Sequence, residues 1–506
     1  MTQSSFQGVG SSERPSPLAI PRRLWGISLM LAGIGWGLAA LRHFLLQSNA
    51  YDLGLFDQWA WLVSQGLPPI SSMEQVHLLA DHGAWGFYAA GGLYALAPSV
   101  QWLLASQALM LSLTALPLWR LAAQAQLPRQ LCWLVCLLWW LQPVVFNTNL
   151  FDVHPEVWVM PAFALALWAE RAGKPRLWFA LLVVMLSCRD GLVLITAGMA
   201  CELAWRQRWG WSAAAAALSA GWLLMLSRWL YPWLREGEGP KAAGRMFGHL
   251  SGGLGSALAA IDWPGGAVYL LLLCLPCGLF WRRRSLPVLL IGLPLVLVNL
   301  LSASPSYRTL IHHYSLPLAV VAVTAAIDGL AATQRCGPSL GRRQRAWLLG
   351  WTVLCWLALA KPWFFTGPYL QRLAWRGDVD AAISRIQASD GVLTTSYLVP
   401  HLSERPTVAF PKKSFDASLH SSGFNVLLLN PSDPGWGSAQ GVQRRLLNQA
   451  QGSGWECQRW PSGLELCRSP GAAQQLPPGS ATPHNLHAAP AATADAESNS
   501  ADAVPA

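Results

Sequence analysis

Long apolar segments alternate with short polar ones along most of this chain. A helix needs roughly 20 apolar residues to cross a hydrocarbon core about 30 Å thick, or fewer where helices are broken inside a bundle. The pattern therefore predicts about eleven transmembrane helices. The predicted spans lie near residues 24–46, 100–121, 131–148, 156–170, 177–188, 191–205, 211–231, 266–281, 285–302, 314–332 and 346–366.

Basic side chains occur mostly as short clusters between these spans. If Arg22 and Arg23 are cytoplasmic, alternation places every later basic cluster in the cytoplasm, as the positive-inside rule expects. The same alternation sends residues 47–99, which contain no Lys or Arg, to the outside. The later clusters are Arg120 with Arg129, Arg171 with Lys174 and Arg176, Arg206 with Arg208, Arg282 to Arg284, and Arg335 with Arg342, Arg343 and Arg345.

Composition agrees with a polytopic membrane protein. Of the 506 residues, 53% are hydrophobic and only 12% are charged, which is too little charge to coat a soluble protein of this size. The net charge of +10 belongs mainly to the clusters between spans, so it indicates membrane orientation and argues against nucleic-acid binding. We expect residues 1–21 to form a cytoplasmic tail. The apolar run that follows is too long for a signal peptide and is predicted to remain as the first helix.

The first external loop, residues 47–99, is predicted to be structured. Apolar residues recur at helical spacing from Leu55 to Val63, which predicts an amphipathic helix along the membrane interface. Asp52 stands just before this helix, where an N-cap would be, so a purely structural role is one interpretation of it. A second weakly apolar stretch, Trp85 to Leu96, is predicted to be an interfacial or re-entrant segment rather than a span.

The chain beyond residue 376 has a different character. Residues 377–470 are predicted to form a small extracytoplasmic α/β domain, with helices near 378–388 and 442–450. Its strands are predicted at Val392–Tyr397 and Phe424–Asn430, followed by a closing hairpin. Cys457 and Cys467 lie opposite each other about the turn of that hairpin, which predicts a disulfide on the oxidising side of the membrane, the alternative being two free thiols. Residues 471–506 are rich in Ala, Pro and Ser and are predicted to be a disordered tail.

Dense polar clusters stand at the ends of the apolar segments, and the charge pattern places all of them on the outer face. Carboxylates and imidazoles gathered at one membrane surface favour a functional site over a set of solvated loops. The clusters are Tyr51 to Gln58, Asp81 with His82, Phe151 to Glu156, Cys188 to Asp190, and His312 to Tyr314.

These motifs also carry a resemblance. The segment from Tyr51 to Gln58, the Phe-Asp-Val-His-Pro-Glu run at 151–156, Arg189-Asp190-Gly191 and the Pro-His-Leu-Ser run at 400–403 resemble a bacterial family of predicted membrane proteins of unknown function. That family resembles the C-type (GT-C) membrane glycosyltransferases that use polyprenyl-phosphate sugars. The resemblance covers roughly residues 24–470 and implies a GT-C-like α-helical transmembrane domain over residues 22–376. It also implies a multi-pass protein of the bacterial inner membrane, with the N-terminus cytoplasmic and the C-terminus extracytoplasmic.

The resemblance implies an inverting sugar transfer at the outer face of that membrane, from a polyprenyl-phosphate donor to an acceptor. A carboxylate near the end of the first helix would deprotonate the acceptor, a role that falls on Asp52, with Asp57 as the alternative. Arg308, His312, His313 and Tyr314, with Lys241 or Arg245, would stabilise the departing phosphate. Asp152, His154, Glu156 and Asp190 would hold the sugar. A groove between helices would take the prenyl chain, so the implied partners are the donor and membrane lipid.

Other interpretations of these residues remain open at the level of sequence. Glu156 after Pro155 suits a helix start as well as a ligand, and Arg189 and Asp190 could simply pair with each other. Asp52, Asp152, His154 and Glu156 could equally bind a divalent cation such as Mg²⁺ or Mn²⁺, although no spacing is diagnostic of a metal motif. A transporter whose pathway uses the same groups, or a non-catalytic membrane scaffold, are the alternative functions. The sequence does not indicate the sugar, the acceptor or the oligomeric state.

Overall fold

The computed structural model describes residues 19–236, 261–336, 340–413 and 423–470, together with Phe415 and a few isolated positions between 247 and 259. Most of the predicted N-terminal tail and the whole of the predicted 471–506 tail lie outside the described residues. The described chain is mostly helical, with one small sheet near the C-terminal end.

The helices follow the predicted apolar segments closely. The α-helices before the 237–246 gap are α1 Arg22–Phe44, α2 Leu55–Ser64, α3 Leu78–His82, α4 Tyr88–Leu96, α5 Gln101–Leu113, α6 Ala115–Gln124, α7 Arg129–Trp140, α8 Pro143–Leu150, α9 Met160–Arg171, α10 Pro175–Leu186, α11 Val193–Trp205, α12 Trp209–Met225 and α13 Tyr231–Leu234. Those described after residue 260 are α14 Trp263–Gly278, α15 Leu293–Leu301, α16 Leu316–Cys336, α17 Arg342–Leu359, α18 Arg376–Ile383 and α19 Gln440–Gly452.

Fewer helices are long and apolar enough to cross a membrane than the sequence predicts. Among the described residues, 4 continuous helical segments are long and apolar enough to span a bilayer, or up to 6 if each bent pair counts as one span. The continuous segments are Arg22–Phe44, Gln101–Gln124, Trp209–Leu234 and His313–Arg335. The bent pairs are α7 with α8, at 43°, and the 3₁₀-helix Arg283–Ile291 with α15, at 62°. The predicted count of about eleven spans is thus not confirmed, because several apolar helices are too short for a straight crossing.

Charged groups separate to the two ends of the helices. At one end Arg171 forms a bidentate ion pair with Asp328, at 2.7 and 2.9 Å. Close by, Arg206 lies 3.3 Å from both Glu170 and Glu202. The acidic and imidazole clusters gather at the other end, beyond the C-terminus of α1. The basic clusters, with their paired acids, and the clusters that combine carboxylates with imidazoles therefore lie at opposite helix ends.

The C-terminal region contains a five-stranded sheet of β1 Val392–Thr394, β2 Val408–Ala409, β3 Val426–Leu429, β4 Glu456–Arg459 and β5 Glu465–Arg468. The strand order is β2-β1-β3-β5-β4, with β1 parallel to both β2 and β3, and β5 antiparallel to β3 and β4. Cys457 and Cys467 are direct cross-strand partners in the β4–β5 hairpin and are joined by a disulfide. The short strand β2 was not predicted, because two residues carry no readable alternation.

The two faces of this sheet pack against different parts of the protein, because successive side chains along a strand point to opposite faces. Leu393, Leu427 and Leu429 pack against helix α19. Val392 and Val426 face the other way and share one apolar core with Phe56 and Leu53 of the first loop. We call the described residues between 377 and 470 the C-terminal unit. Through this shared core, the C-terminal unit is docked on the first loop, residues 47–99.

Helix α2 is not the interfacial helix that the sequence predicts. Seven of its ten residues are buried, including the polar Asp57 and Gln58. The helix is covered by α4 on one side and by the C-terminal unit on the other, so its polar positions bond to protein groups rather than to water or lipid headgroups. Gln58 shows this, because its amide nitrogen donates to Ser72 Oγ at 2.7 Å and to the carbonyl oxygen of Arg405 at 3.2 Å.

Candidate active site

Asp52 lies on a π-helical turn, Ala50–Gly54, that connects the end of α1 to α2. The residue that caps this turn is Asn49, whose side-chain oxygen accepts from the backbone nitrogen of Tyr51 at 3.3 Å. The N-cap interpretation of Asp52 is therefore wrong. Its side chain is 22% exposed and its carboxylate is directed at an imidazole instead.

That imidazole belongs to His154. Its Nε2 lies 3.3 Å from Asp52 Oδ1, and the ring is almost completely buried. The His313 ring stacks on it with centroids 3.5 Å apart, and His313 is equally buried. The structure thus brings together one residue from each of three distant motifs.

Glu156 extends the cluster on the far side of His313. It lies on the 3₁₀ turn Pro155–Val159, and its Oε1 is 3.3 Å from His313 Nε2. Its other oxygen accepts a hydrogen bond from Arg189 at 3.1 Å. Proline at the start of this turn fits its restricted backbone, but the Glu156 side chain serves the cluster rather than capping the turn. We use the name polar cluster for Asp52, His154, Glu156, Arg189 and His313.

Two further residues of the 312–314 motif border the polar cluster. His312 Nδ1 is 2.8 Å from Thr309 Oγ1, and its ring meets Phe151 edge to face at 4.5 Å. The Tyr314 ring lies 4.1 Å from the His313 ring and is itself stacked by Tyr307 at 3.9 Å. The 312–314 motif therefore supplies His313 to the polar cluster, and the rings of His312 and Tyr314 lie beside that cluster.

Arg189 and His82 are the residues whose role the sequence did not predict. The interpretation that Arg189 merely pairs with Asp190 is wrong, because the guanidinium bonds to Glu156. Asp190 instead accepts from Tyr231 at 2.7 Å and from the Gly191 nitrogen at 2.7 Å. His82 Nε2 is 3.1 Å from Asp81, and the charges of Arg189, Asp190 and Glu156 all act on it. In the sequence, the only indication that Arg189 and His82 belong to the site is that each stands in one of the polar clusters.

Burial determines the charge of the flanking groups. It lowers the pKa of His82 to about 3, with Arg189 adding to the effect. Burial likewise lowers the pKa of His312 to about 4, against the opposing pull of Asp52. Burial would also lower the pKa of Arg189, but the carboxylates of Glu156 and Asp190 raise it above its ordinary value. At neutral pH the site therefore has a fixed cation at Arg189, with neutral imidazoles at His82 and His312.

Asp152 holds the loop that carries His154. It forms a buried ion pair with Arg42, at the end of α1, and its Oδ2 accepts from the Asn49 nitrogen at 2.9 Å. Its backbone has φ of 99°, a region that residues other than glycine rarely adopt and that costs on the order of 1–3 kcal/mol. Burial raises the pKa of Asp152 to about 6, although Arg42 opposes this. Both carboxylate oxygens of Asp152 are thus engaged by protein groups.

Asp57 does not face the polar cluster. It is fully buried beneath the C-terminal unit, where Tyr94 donates to its Oδ1 and Ser403 donates to its Oδ2 at 2.7 Å. Burial, with a contribution from Glu404, raises its pKa to about 7. Asp57 and the Pro-His-Leu-Ser motif therefore form part of the contact between α2 and the C-terminal unit.

The other predicted phosphate ligands are Arg308 with Lys241 or Arg245. Arg308 donates to the carbonyl oxygen of Ser302 at 2.6 Å and is 4.0 Å from Asp262. Lys241 and Arg245 lie outside the described residues. Arg189, by contrast, bonds to Glu156 within the polar cluster.

The close approach of separate segments explains why the polar cluster assembles. The nitrogen of Gly86 donates to the Ser187 carbonyl oxygen at 2.8 Å, and a Cβ at this glycine would lie only 2.8 Å from Cys188 Sγ. A Cβ at Gly54 would lie 2.8 Å from Val399. Glycine at these two positions thus lets the first loop pack tightly on the 187–190 turn and on the C-terminal unit.

A divalent-cation site is not preformed in the part of the chain that the structure describes, because no three His, Cys, Asp or Glu side chains there have metal-holding geometry. Within that same part, the Nδ1 atoms of His154 and His313 have no hydrogen-bond partner. Buried ring nitrogens without partners are rare in proteins and point towards a polar ligand.

Comparison with known proteins gives a family match and a structural similarity. The family model described as predicted membrane protein (DUF2079) matches residues 42–466. No curated protein matches the chain. The crystal structure of ArnT from Cupriavidus metallidurans bound to undecaprenyl phosphate is similar, with 11% sequence identity and a TM-score of 0.49, over 88% of this chain and 98% of that chain. The family match includes every member of the polar cluster.

Proposed function

This chain belongs to the DUF2079 family of predicted membrane proteins, and we propose that it is an inverting, GT-C-type membrane glycosyltransferase. It moves a sugar from a polyprenyl-phosphate donor to an acceptor at the outer face of the bacterial inner membrane. The observation that carries the proposal is the 3.3 Å approach of His154 to Asp52, within a buried polar cluster that also contains Arg189.

Asp52 is the base in this proposal. It is the carboxylate of the polar cluster that keeps substantial exposure, whereas Glu156 is almost fully buried and paired with Arg189. The acceptor hydroxyl or amide gives its proton to Asp52 as its heteroatom bonds to the anomeric carbon. The bond from that carbon to the phosphate oxygen breaks, and its electron pair leaves with the polyprenyl phosphate. His154 orients the Asp52 carboxylate from the side.

The departing phosphate is stabilised by Arg189 and by the neighbouring rings. Arg189 supplies a guanidinium of fixed charge, and His312 and Tyr314 can donate hydrogen bonds to phosphate oxygens. One fixed cation balances the single charge of a phosphodiester, whereas the nearby carboxylates of Asp52, Glu156 and Asp190 would repel a more highly charged diphosphate. The electrostatics therefore favour a polyprenyl monophosphate sugar as donor.

The sugar lies between the phosphate and Asp52 in this arrangement. Carboxylates suit sugar hydroxyls because they accept several hydrogen bonds, and Asp190 and Asp81 border the site on the side of His82. Glu156 acts mainly by holding Arg189 and His313. Asp152 acts through the loop that it fixes rather than on the substrate.

The position of the site suits a lipid-linked donor. The polar cluster lies beyond the C-terminal end of α1, a helix with exposed Leu29, Ile34 and Trp36 along its length. A prenyl chain can therefore remain among the apolar helices while its headgroup reaches the polar cluster. The basic clusters at the opposite helix ends support a cytoplasmic N-terminus and an extracytoplasmic C-terminal unit.

The test uses the full chain in sealed liposomes, with polyprenyl-phosphate sugars extracted from bacterial membranes and labelled in the sugar. We expect the labelled sugar to leave its lipid and to appear on an acceptor from the same extract, with no passage of sugar across the bilayer. Passage of label without cleavage would instead identify a transporter. Neither cleavage nor passage with the complete extract would leave a scaffold role and reject the proposal.

A further inference from the structure

Three aromatic rings meet next to the turn that carries Asp52. The Tyr51 ring is 5.1 Å from the Phe410 ring and 5.5 Å from the Trp436 ring, and the Phe410 and Trp436 rings are 6.1 Å apart. Trp436 is 58% exposed, whereas Phe410 is buried beneath it. We call these three residues the aromatic platform.

The protein holds Trp436 outward on a tightly specified turn. Gly435 and Gly437 flank it with φ of 74° and 73°, in the left-handed region that favours glycine. A Cβ at Gly437 would come within 3.0 Å of the Phe410 ring, so the turn passes directly over that ring. The Gly437 carbonyl oxygen also accepts from the Lys413 nitrogen at 3.0 Å. A large apolar side chain is thus fixed at the surface rather than left loose on a loop.

The three rings meet edge to face or at a tilt. The interplanar angle is 79° between Trp436 and Tyr51 and 48° between Trp436 and Phe410. Among the described residues, no aromatic ring is therefore stacked in parallel on the indole. Aromatic faces carry partial negative charge, and the polarised C–H bonds on one face of a pyranose ring carry partial positive charge, so the two stack favourably.

Charged groups border the aromatic platform on the side of the first loop. Lys412 Nζ lies 5.1 Å above the Tyr51 ring and 3.3 Å from Glu74 Oε1. An ammonium group and a carboxylate next to an aromatic surface provide donors and acceptors for hydroxyl groups. This combination suits a carbohydrate, because the face of a sugar ring packs on an aromatic ring while its hydroxyl groups form hydrogen bonds with charged groups.

The aromatic platform is connected to the proposed base through consecutive residues. Tyr51 and Asp52 are neighbours on the Ala50–Gly54 turn, with Cα atoms about 3.8 Å apart. Tyr51 contacts the C-terminal unit, while Asp52 is directed at His154. The turn that carries the proposed base is therefore in direct contact, through Tyr51, with the segments that carry Phe410 and Trp436.

We propose that the aromatic platform binds a pyranose ring of a carbohydrate acceptor and presents its hydroxyl to Asp52. That the acceptor is glycosylated rests on the function proposed above, but the binding of carbohydrate does not. The C-terminal unit thereby acquires a role in acceptor selection, since it supplies Phe410, Lys412 and Trp436.

The binding test is a glycan array probed with the labelled full chain in nanodiscs. We expect the wild-type protein to bind a set of carbohydrates, and Trp436→Ala to weaken that binding at least about tenfold. Trp436→Phe should retain part of the affinity. The matched control is Trp205→Ala, because Trp205 is 69% exposed next to the basic helix ends. It should bind as the wild type does.

Two results would overturn the inference. One is the absence of any bound carbohydrate on the array. The other is equal binding by wild type and Trp436→Ala, which would assign Trp436 to contact with the membrane surface, where tryptophan is also common.

Measuring carbohydrate binding and sugar transfer separately distinguishes this inference from the proposed function. Asp52→Asn should bind the same carbohydrates while losing transfer. Binding through Trp436 without any transfer would retain this inference and reject the glycosyltransferase. If the protein transfers sugar but Trp436→Ala leaves the KM for the acceptor unchanged, the glycosyltransferase proposal is retained and the role of the aromatic platform is rejected.

Discussion

Arg189 donates a hydrogen bond to Glu156 at 3.1 Å, joining the turn after α10 to the turn that begins α9. Each of these side chains would be a costly isolated charge without the other. The pair also fixes Glu156 next to His313. It therefore organises the side of the polar cluster opposite Asp52.

Replacing Arg189 tests whether this guanidinium meets the donor phosphate. We expect Arg189→Gln to weaken binding of a polyprenyl-phosphate sugar about tenfold or more, because a charge-assisted hydrogen bond of roughly 1.5–3 kcal/mol is lost. Arg308→Gln is the comparison, since Arg308 bonds to the Ser302 carbonyl and should leave donor affinity near that of the wild type. The measurement is donor affinity by native mass spectrometry. The opposite ranking of the two variants would move the phosphate site to Arg308.

The Arg42–Asp152 pair predicts a large effect on stability. Removing either partner leaves an unpaired buried charge, so Asp152→Asn or Arg42→Gln should each cost roughly 3–5 kcal/mol of unfolding free energy. The double variant Arg42→Gln with Asp152→Asn should recover much of that loss. Unfolding by SDS titration in mixed micelles measures all of these proteins. Strictly additive losses would show that the two side chains do not act as a pair.

Asp57 predicts a pH dependence of stability with a definite sign. Its pKa in the folded protein is raised from 3.8 to about 7, so the folded state holds a proton that the unfolded state has released. The stabilising contribution is complete below about pH 4 and is lost as the pH rises towards 7. We expect Asp57→Asn to show a smaller fall in melting temperature than the wild type between pH 5 and pH 8. Parallel curves for the two proteins would contradict the buried, protonated state of Asp57.

The Cys457–Cys467 disulfide predicts the side of the membrane on which the C-terminal unit lies. The test variant keeps Cys457 and Cys467 and has alanine at the eight other of the 10 cysteine positions. When it is taken from whole cells and denatured in SDS, it should take up maleimide–polyethylene glycol only after reduction. The control carries Cys457→Ser in the same background and should label without reductant. Labelling of the intact pair without reductant would place the C-terminal unit on the reducing side.

The sequence predicted the positions of the helices and the two-ended sorting of charge, because both follow from local apolar runs and basic clusters. It did not establish how many helices cross the membrane. The bends after Trp140 and after Ile291 depend on packing between helices that no local pattern reveals. Burial of α2 was missed for a similar reason, since the C-terminal unit that covers it lies far along the chain.

The site could be predicted as a set of motifs but not as a set of contacts. The sequence placed Asp52, His154 and Glu156 among the candidates, and the structure brings them together with His313. It could not separate Asp52 from Asp57, because the difference lies in Ser403 and Tyr94, which surround only the second. It named Arg308 and not Arg189 as a phosphate ligand, since the contact between Arg189 and Glu156 joins segments that are far apart in the chain.

The central claim is that Asp52 is the base of a sugar transfer, and the pair Asp52→Asn and Asp57→Asn tests it most directly. Both variants replace a carboxylate by an isosteric amide on the same short segment, so they differ mainly in whether the carboxylate faces the polar cluster. With labelled polyprenyl-phosphate sugar and matched amounts of folded protein, Asp52→Asn should lower the transfer rate at least about 100-fold. Asp57→Asn should stay near the wild-type rate. Undiminished transfer by folded Asp52→Asn protein would contradict the account.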